Sequence, residues 1–182
     1  MDPRESARKG LLLSRIHVCS IFKIADLAEE TGARSLVTLI NHDIIVHRPA
    51  CIAPERHLFV AVSDITAEIE GQILPGEAHV ATLLDFVQTW DREHPLIIHC
   101  FAGVSRSTAA AFIAACALAP WRDEAEIALA IRAASPTATP NARLVGVADR
   151  VLKRAGRMSA AIEAIGRGEE CEEGVPFGLE VG

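Results

Sequence analysis

The chain contains no tyrosine, and two tryptophans with six phenylalanines bring aromatics to only 4% of its 182 residues. Half of the residues are nevertheless hydrophobic, so the core must come from aliphatic side chains and alanine. A chain of this length can bury such a core as one domain. Long apolar runs are also missing. The longest, Thr108 to Pro120, falls well short of the ~20 residues a bilayer demands, which excludes a membrane span. Basic charge is scarce: a net charge of −6 argues against a nucleic-acid binder, and no basic cluster offers itself to an anionic lipid surface. At the start of the sequence, Arg4, Arg8 and Lys9 precede Leu11 to Leu13, but Ser14 and Arg15 break the run, which does not read as a secretory signal. Five cysteines form an odd set without paired spacing, which excludes a disulfide framework and fits a reducing cytoplasm. His42, His47 and His57 have no metal-ligand spacing and read as surface residues of a loop.

What the sequence does have is concentrated in His99-Cys100-Phe101-Ala102-Gly103-Val104-Ser105-Arg106-Ser107. The apolar Leu96-Ile97-Ile98 precedes this stretch and a long apolar segment follows, a strand–loop–helix pattern. A glycine-containing loop at a helix N-terminus aims several backbone N–H groups, and the positive end of the helix dipole, at one point. Such a site holds a phosphate. Cysteines placed there have pKa values of ~3.5–7.5, so a thiolate exists at neutral pH. Arg106 can close the loop with a bidentate clamp on two phosphoryl oxygens. Spacing alone would be weak evidence, because Cys116 and Arg122 repeat it. That second pair lacks a preceding strand and a glycine, and it reads as helix interior.

The pattern His-Cys-x-x-Gly-x-x-Arg-Ser resembles the signature loop of the cysteine-dependent protein tyrosine phosphatases, and Ala-Gly-Val-Ser-Arg-Ser is closest to the dual-specificity branch. The resemblance spans roughly residues 15–155 and is thin over the first 60.

Alternating patterns along the chain predict an α/β fold: one domain with a mostly parallel central sheet flanked by helices, and the phosphate-binding loop between a strand and a buried central helix. Strands are expected at Ile16–Ile21, Ser35–Ile40, Leu58–Val62 and Leu96–His99. Helices are expected at Phe22–Thr31, Pro75–Trp90 and Ser105–Ala119. A further helix follows an Asp123/Glu126 capping box, and another opens at Pro140-Asn141 and ends before Gly156. The catalytic domain then covers 11–156, and 157–182, with Glu169-Glu170-Cys171-Glu172-Glu173, reads as a solvated, flexible acidic tail.

Ligands of a parallel sheet bind beyond the carboxyl ends of its strands, which puts Asp64 at the same edge as Cys100. The resemblance implies a general acid at such a position, somewhat over thirty residues before the cysteine. Here the separation is 36, with Gly71 to Gly76 as the extra loop. Asp85 competes from the face of its helix opposite the apolar stripe; Asp43, Glu68 and Glu70 are weaker rivals. His99 would hold the loop in shape. By the resemblance, Ser107 would ease departure of the Cys100 thiolate, and Asn141 would match a Pro-Asn pair that an N-cap explains equally well.

The expected function is phosphomonoester hydrolysis through a cysteinyl-phosphate. The phosphate would be bound by Phe101, Ala102, Gly103, Val104, Ser105 and Arg106, with no metal or other cofactor, and phosphate or vanadate would be ligands. Uncharged loop positions favour a phosphoprotein or phosphopeptide with one phosphate, phosphotyrosine foremost, over inositol phosphates. Without tyrosine or a phosphotyrosine-stacking insertion, the pocket is expected to be shallow. A rhodanese-like sulfurtransferase and a non-catalytic phosphopeptide-binding module are the rivals from other classes. Oxidation of Cys100 is expected, with Cys51 as a candidate resolving partner.

Overall fold

The computed structural model describes residues 15–182. The basic and leucine-rich segment from Arg4 to Leu13 lies outside the described residues, as does the proposed domain start at residue 11. The first described residues form β1 (Arg15–Cys19), shorter than the predicted strand because Ser20 caps a 3-10 turn over Ile21–Lys23, its hydroxyl accepting from the Phe22 amide. Helix α1 (Ile24–Thr31) follows, then β2 (Ser35–Ile40), β3 (His57–Ala61), α2 (Glu77–Thr89), β4 (Leu96–His99) and α3 (Arg106–Leu118).

The strands lie in the order β3-β2-β4-β1, all parallel, which puts β4 and its following loop at the centre of the sheet. Alternation along the strands separates two apolar layers. Leu36 and Ile97 face α1 through Ile24, Leu27 and Ala28, while Val37, Leu39, Leu96 and Ile98 face the larger layer. That larger layer is built around α3, which is buried all round apart from Ala117. Its alanines leave room for neighbouring helices to approach, and Phe112 fills the interior. Two neighbours are α4 (Glu124–Ala134), capped by Asp123, and α5 (Ala142–Val151), capped by Asn141.

The reading of residues 157–182 as a solvated tail is overturned. Arg157–Ile165 form α6, which buries Met158, Ala161 and Ile162 against the main core. Phe177–Glu180 form β5, antiparallel to β1, with Phe177, Leu179 and Val181 buried. Gly156 lies beyond the end of α5, as expected, and also precedes α6, with a φ of 85°. The acidic stretch between α6 and β5 is therefore held at both ends by packed structure.

Candidate active site

Cys100 is buried where β4 ends, and the loop after it turns through Gly103, whose φ is +74°. A Cβ at Gly103 would lie 2.7 Å from the Cys19 carbonyl carbon and the Ser20 nitrogen, so only glycine fits. Nearly every loop carbonyl is occupied by a donor from the surrounding protein. Phe101 O accepts from Ile21 N (3.0 Å), Ala102 O from Gly174 N (2.9 Å), Val104 O from Thr139 N (3.0 Å) and Ser105 O from Asn141 N (3.2 Å). His99 Nδ1 lies 3.1 Å from Cys100 O. Across a trans peptide, the C=O of one residue opposes the N–H of the next, and the described residues contain no cis bond. Carbonyls held outward thus turn the following amides inward. Gly103 N–H, next to the anchored Ala102 carbonyl, donates to Cys100 Sγ at 3.3 Å. Ser107 Oγ lies 3.1 Å from the same sulfur.

Arg106 opens α3 but is only 5% exposed, because its side chain runs under the sheet edge. Nη1 donates to Asn41 Oδ1 (2.8 Å) and to Val62 O (2.9 Å), which fixes the guanidinium plane. Nε is buried without a partner. A buried donor left unpaired in this way is costly unless a ligand accepts from it.

Asp64 sits past β3 on a loop closed at its neck by Ser63 N–H to Ile73 O (2.9 Å) and Ile73 N–H to Ser63 Oγ (3.1 Å). The extra residues are accommodated beyond that neck, so the spacing of 36 still brings Asp64 to the loop. Ser105 Oγ donates to Asp64 Oδ1 at 2.7 Å, and Asn141 Nδ2 to the same oxygen at 2.9 Å. The rivals Asp43, Glu68, Glu70 and Asp85 are exposed, Asp85 on the outer face of α2.

His99 is fully buried, and burial pushes its pKa down to about 4, with the hydrogen bond to Cys100 O opposing the shift. Because a carbonyl only accepts, Nδ1 carries the proton and Nε2 is bare. Nε2 lies 2.7 Å from Thr38 Oγ1, whose proton it accepts. The threonine oxygen in turn lies 2.8 Å from His57 Nε2 and accepts from it. His57 is thus not the free surface histidine that its loop position predicts. It is half-buried, and burial followed by the nearby Arg48 charge lowers its pKa.

The structure brings together Cys100, Arg106, Ser107, Asp64, Ser105, His99 and Asn141. It does not bring Cys51, which lines a small cavity beside α1 with Ala25, Glu29 and Arg34. The thiol near the loop is Cys19, pushed up to about 12 by burial and then by the charges of Cys100 and Glu173. Asn41, Thr38 and Ser20 were not singled out by the sequence, and Glu173 was read only as part of a solvated acidic run. Asn41 alone left a signal, as the first polar residue after an apolar strand. Phe101 is half-exposed at the mouth and meets Phe22 edge-on, with ring centroids 5.7 Å apart. Among the described residues no three His, Cys, Asp or Glu side chains cluster to hold a metal, and no helix is long and apolar enough to cross a membrane.

No family model and no curated protein matches the chain. Solved structures do. Human DUSP28 superposes with a TM-score of 0.60 at 17% identity, covering 77% of this chain and 92% of that one. The PTP-2 phosphatase of Cydia pomonella gives 0.58 at 18% identity, covering 74% and 84%. PTPMT1 gives 0.56 at 14% identity, covering 82% and 92%. The fold is that of the dual-specificity phosphatases.

Proposed function

We propose that this chain is a cysteine-dependent phosphomonoester hydrolase. The carrying observation is the unpartnered Nε of buried Arg106, at the edge of a loop whose carbonyls are tied outward. That combination is an anion cradle around a cysteine sulfur. Cys100 Sγ attacks phosphorus in line, forming the S–P bond as the P–O bond to the leaving group breaks. Arg106 and the amides of Phe101, Ala102, Gly103, Val104 and Ser105 hold the equatorial oxygens. Both donors to Asp64 fall on Oδ1, so Oδ2 is the oxygen left to deliver a proton to the leaving group. In the second step the Asp64 carboxylate takes a proton from water as it attacks phosphorus. The S–P electron pair returns to Sγ, and the Ser107 hydroxyl stabilises the departing thiolate. Positive charge comes from Arg106 and the start of α3, so no step calls for a metal.

The uncharged loop side chains support a substrate with one phosphate, a phosphorylated protein or peptide with phosphotyrosine favoured, over an inositol polyphosphate. Free thiols at all five cysteines fit a reducing cytoplasm. Purified protein should hydrolyse p-nitrophenyl phosphate and members of a phosphopeptide panel in the presence of a chelator, and Cys100→Ser should not. Absence of turnover with every phosphomonoester, or persulfide formation from thiosulfate, would reject the reading.

A further inference from the structure

The segment between α6 and β5 is a strap with two clamps. At one end Gly168 N–H donates to Thr139 Oγ1 (3.0 Å) and Glu169 N–H to Pro136 O (3.0 Å). A Cβ at Gly168 would lie 2.5 Å from the Thr137 carbonyl carbon. At the other end Gly174 N–H donates to Ala102 O (2.9 Å), and a Cβ there would lie 2.9 Å from Gly103 O. Ser20 Oγ donates to Glu173 Oε1 at 2.6 Å beside that second clamp. Glycine at both clamps lets the strap lie directly on the 136–139 loop and on the signature loop.

Stretched between the clamps, Glu169, Glu170 and Glu172 line one wall of a cleft of about 1060 Å³. Its other wall is Asp64 to Ala67, and its floor includes Ser105 and Asn141. The cleft therefore starts at the residues that flank the phosphate cradle and leads away from it. Four carboxylates line it against one cation, Arg167, which lies 3.6 Å from Glu170. The anchoring half of the ligand is set independently by the buried, unpartnered Nε of Arg106. The two halves have opposite signs: a cradle that takes one anion opens into a cleft that repels a second.

We infer that the substrate is a singly phosphorylated peptide with lysine or arginine beside the phosphorylated residue, and that Glu169, Glu170 and Glu172 select it. This rests on the phosphatase reading above and narrows it. A phosphate held at Arg106 points the flanking residues into the cleft, where a cationic side chain meets the strap carboxylates. An acidic flank, or the further phosphates of an inositol polyphosphate, meets like charge there.

The test compares kcat/KM for matched phosphotyrosine peptides in which the residues flanking the phosphotyrosine are Lys, Ala or Glu. Turnover of p-nitrophenyl phosphate is measured on the same samples. At about 0.01 M salt, where the Debye length is ~30 Å, the lysine peptide should exceed the glutamate peptide by about tenfold or more. The gap should narrow as salt rises. In the triple variant Glu169→Lys, Glu170→Lys, Glu172→Lys the order should reverse. If p-nitrophenyl phosphate is hydrolysed but all three peptides react alike, the strap proposal fails and the phosphatase reading stands. A preference that survives the triple variant also overturns the assignment to the strap. If the wild type hydrolyses no phosphomonoester, both readings fall together.

Discussion

Asn141 Nδ2 lies 2.9 Å from Asp64 Oδ1, although 77 residues separate them in the chain. The amide orientation follows from its other contact, since Asn141 Oδ1 accepts from the Leu144 N–H at 3.0 Å. One side chain thereby caps α5 and holds the carboxylate beside the signature loop. The cap sets the direction in which the amide donates.

Asp64→Asn should lower kcat by ~10²–10⁴ on phosphopeptides, whose leaving oxygen needs a proton. Aryl phosphates of strongly acidic phenols should lose much less. Asp85→Asn, on the exposed face of α2, should match wild type on both. Leaving-group dependence appearing in the Asp85 variant instead would place the acid elsewhere.

Cys100→Ser should abolish turnover by several orders of magnitude while vanadate still binds. Serine keeps the loop geometry and its outward carbonyl bonds but supplies no thiolate. Calorimetric titration with vanadate alongside activity assays checks both halves; retained turnover would remove the covalent step.

Thr38→Val should leave His99 Nε2 and His57 Nε2 without partners in or near the core. An unpaired buried polar group costs ~1–3 kcal/mol, and each kcal/mol moves Tm by roughly 2–4 °C at this chain length. Thr38→Ser keeps both bonds and should melt close to wild type. Equal melting of the valine variant would show that the chain from His57 to the loop adds nothing to stability.

His99 makes acid stability testable. Its pKa falls from the ordinary 6.5 to about 4 in the folded chain, chiefly by burial. Between those values the unfolded chain takes up a proton that the folded chain refuses. Stability from this residue is therefore full above about pH 6.5 and is lost as pH falls towards about 4. The loss is on the order of 3 kcal/mol. His17, lowered to about 4 by burial and then Arg15, acts in the same direction. Urea unfolding at a series of pH values should show the slope, and His99→Gln should flatten it; an unchanged slope in that variant would assign it to other groups.

The central part of the fold was legible because its residues obey simple periodicities. Ser35–Ile40 and Leu96–His99 match their predicted bounds, being short β-branched or aliphatic runs between polar breaks. Cys100, Arg106 and Ser107 were legible because one continuous loop carries them. Thr38 and Asn41 were not, since their partners lie on other elements distant in sequence, His57 and His99 on two strands for Thr38 and Arg106 at the start of α3 for Asn41. A threonine inside a buried strand also looks like any β-branched residue. The strap was misread because a run of glutamates is usually solvated and carries no pattern that reports two distant glycine clamps. Strand β5 is four residues long and includes Gly178, too little for alternation to register.

Pairing β5 with β1 has a consequence during synthesis. Arg15 faces Glu180 and Val18 faces Phe177, so partners about 160 residues apart must meet. At translation rates of ~5–20 residues per second, β1 waits about ten seconds or longer with one edge unpaired. The strap arrives only just ahead of β5, and with it the amide of Gly174 that holds the Ala102 carbonyl. A nascent chain that already carries Cys100 and Arg106 therefore still lacks one of the ties that shape its loop. The loop would take its final shape late, with emergence of the strap rather than of the signature sequence itself.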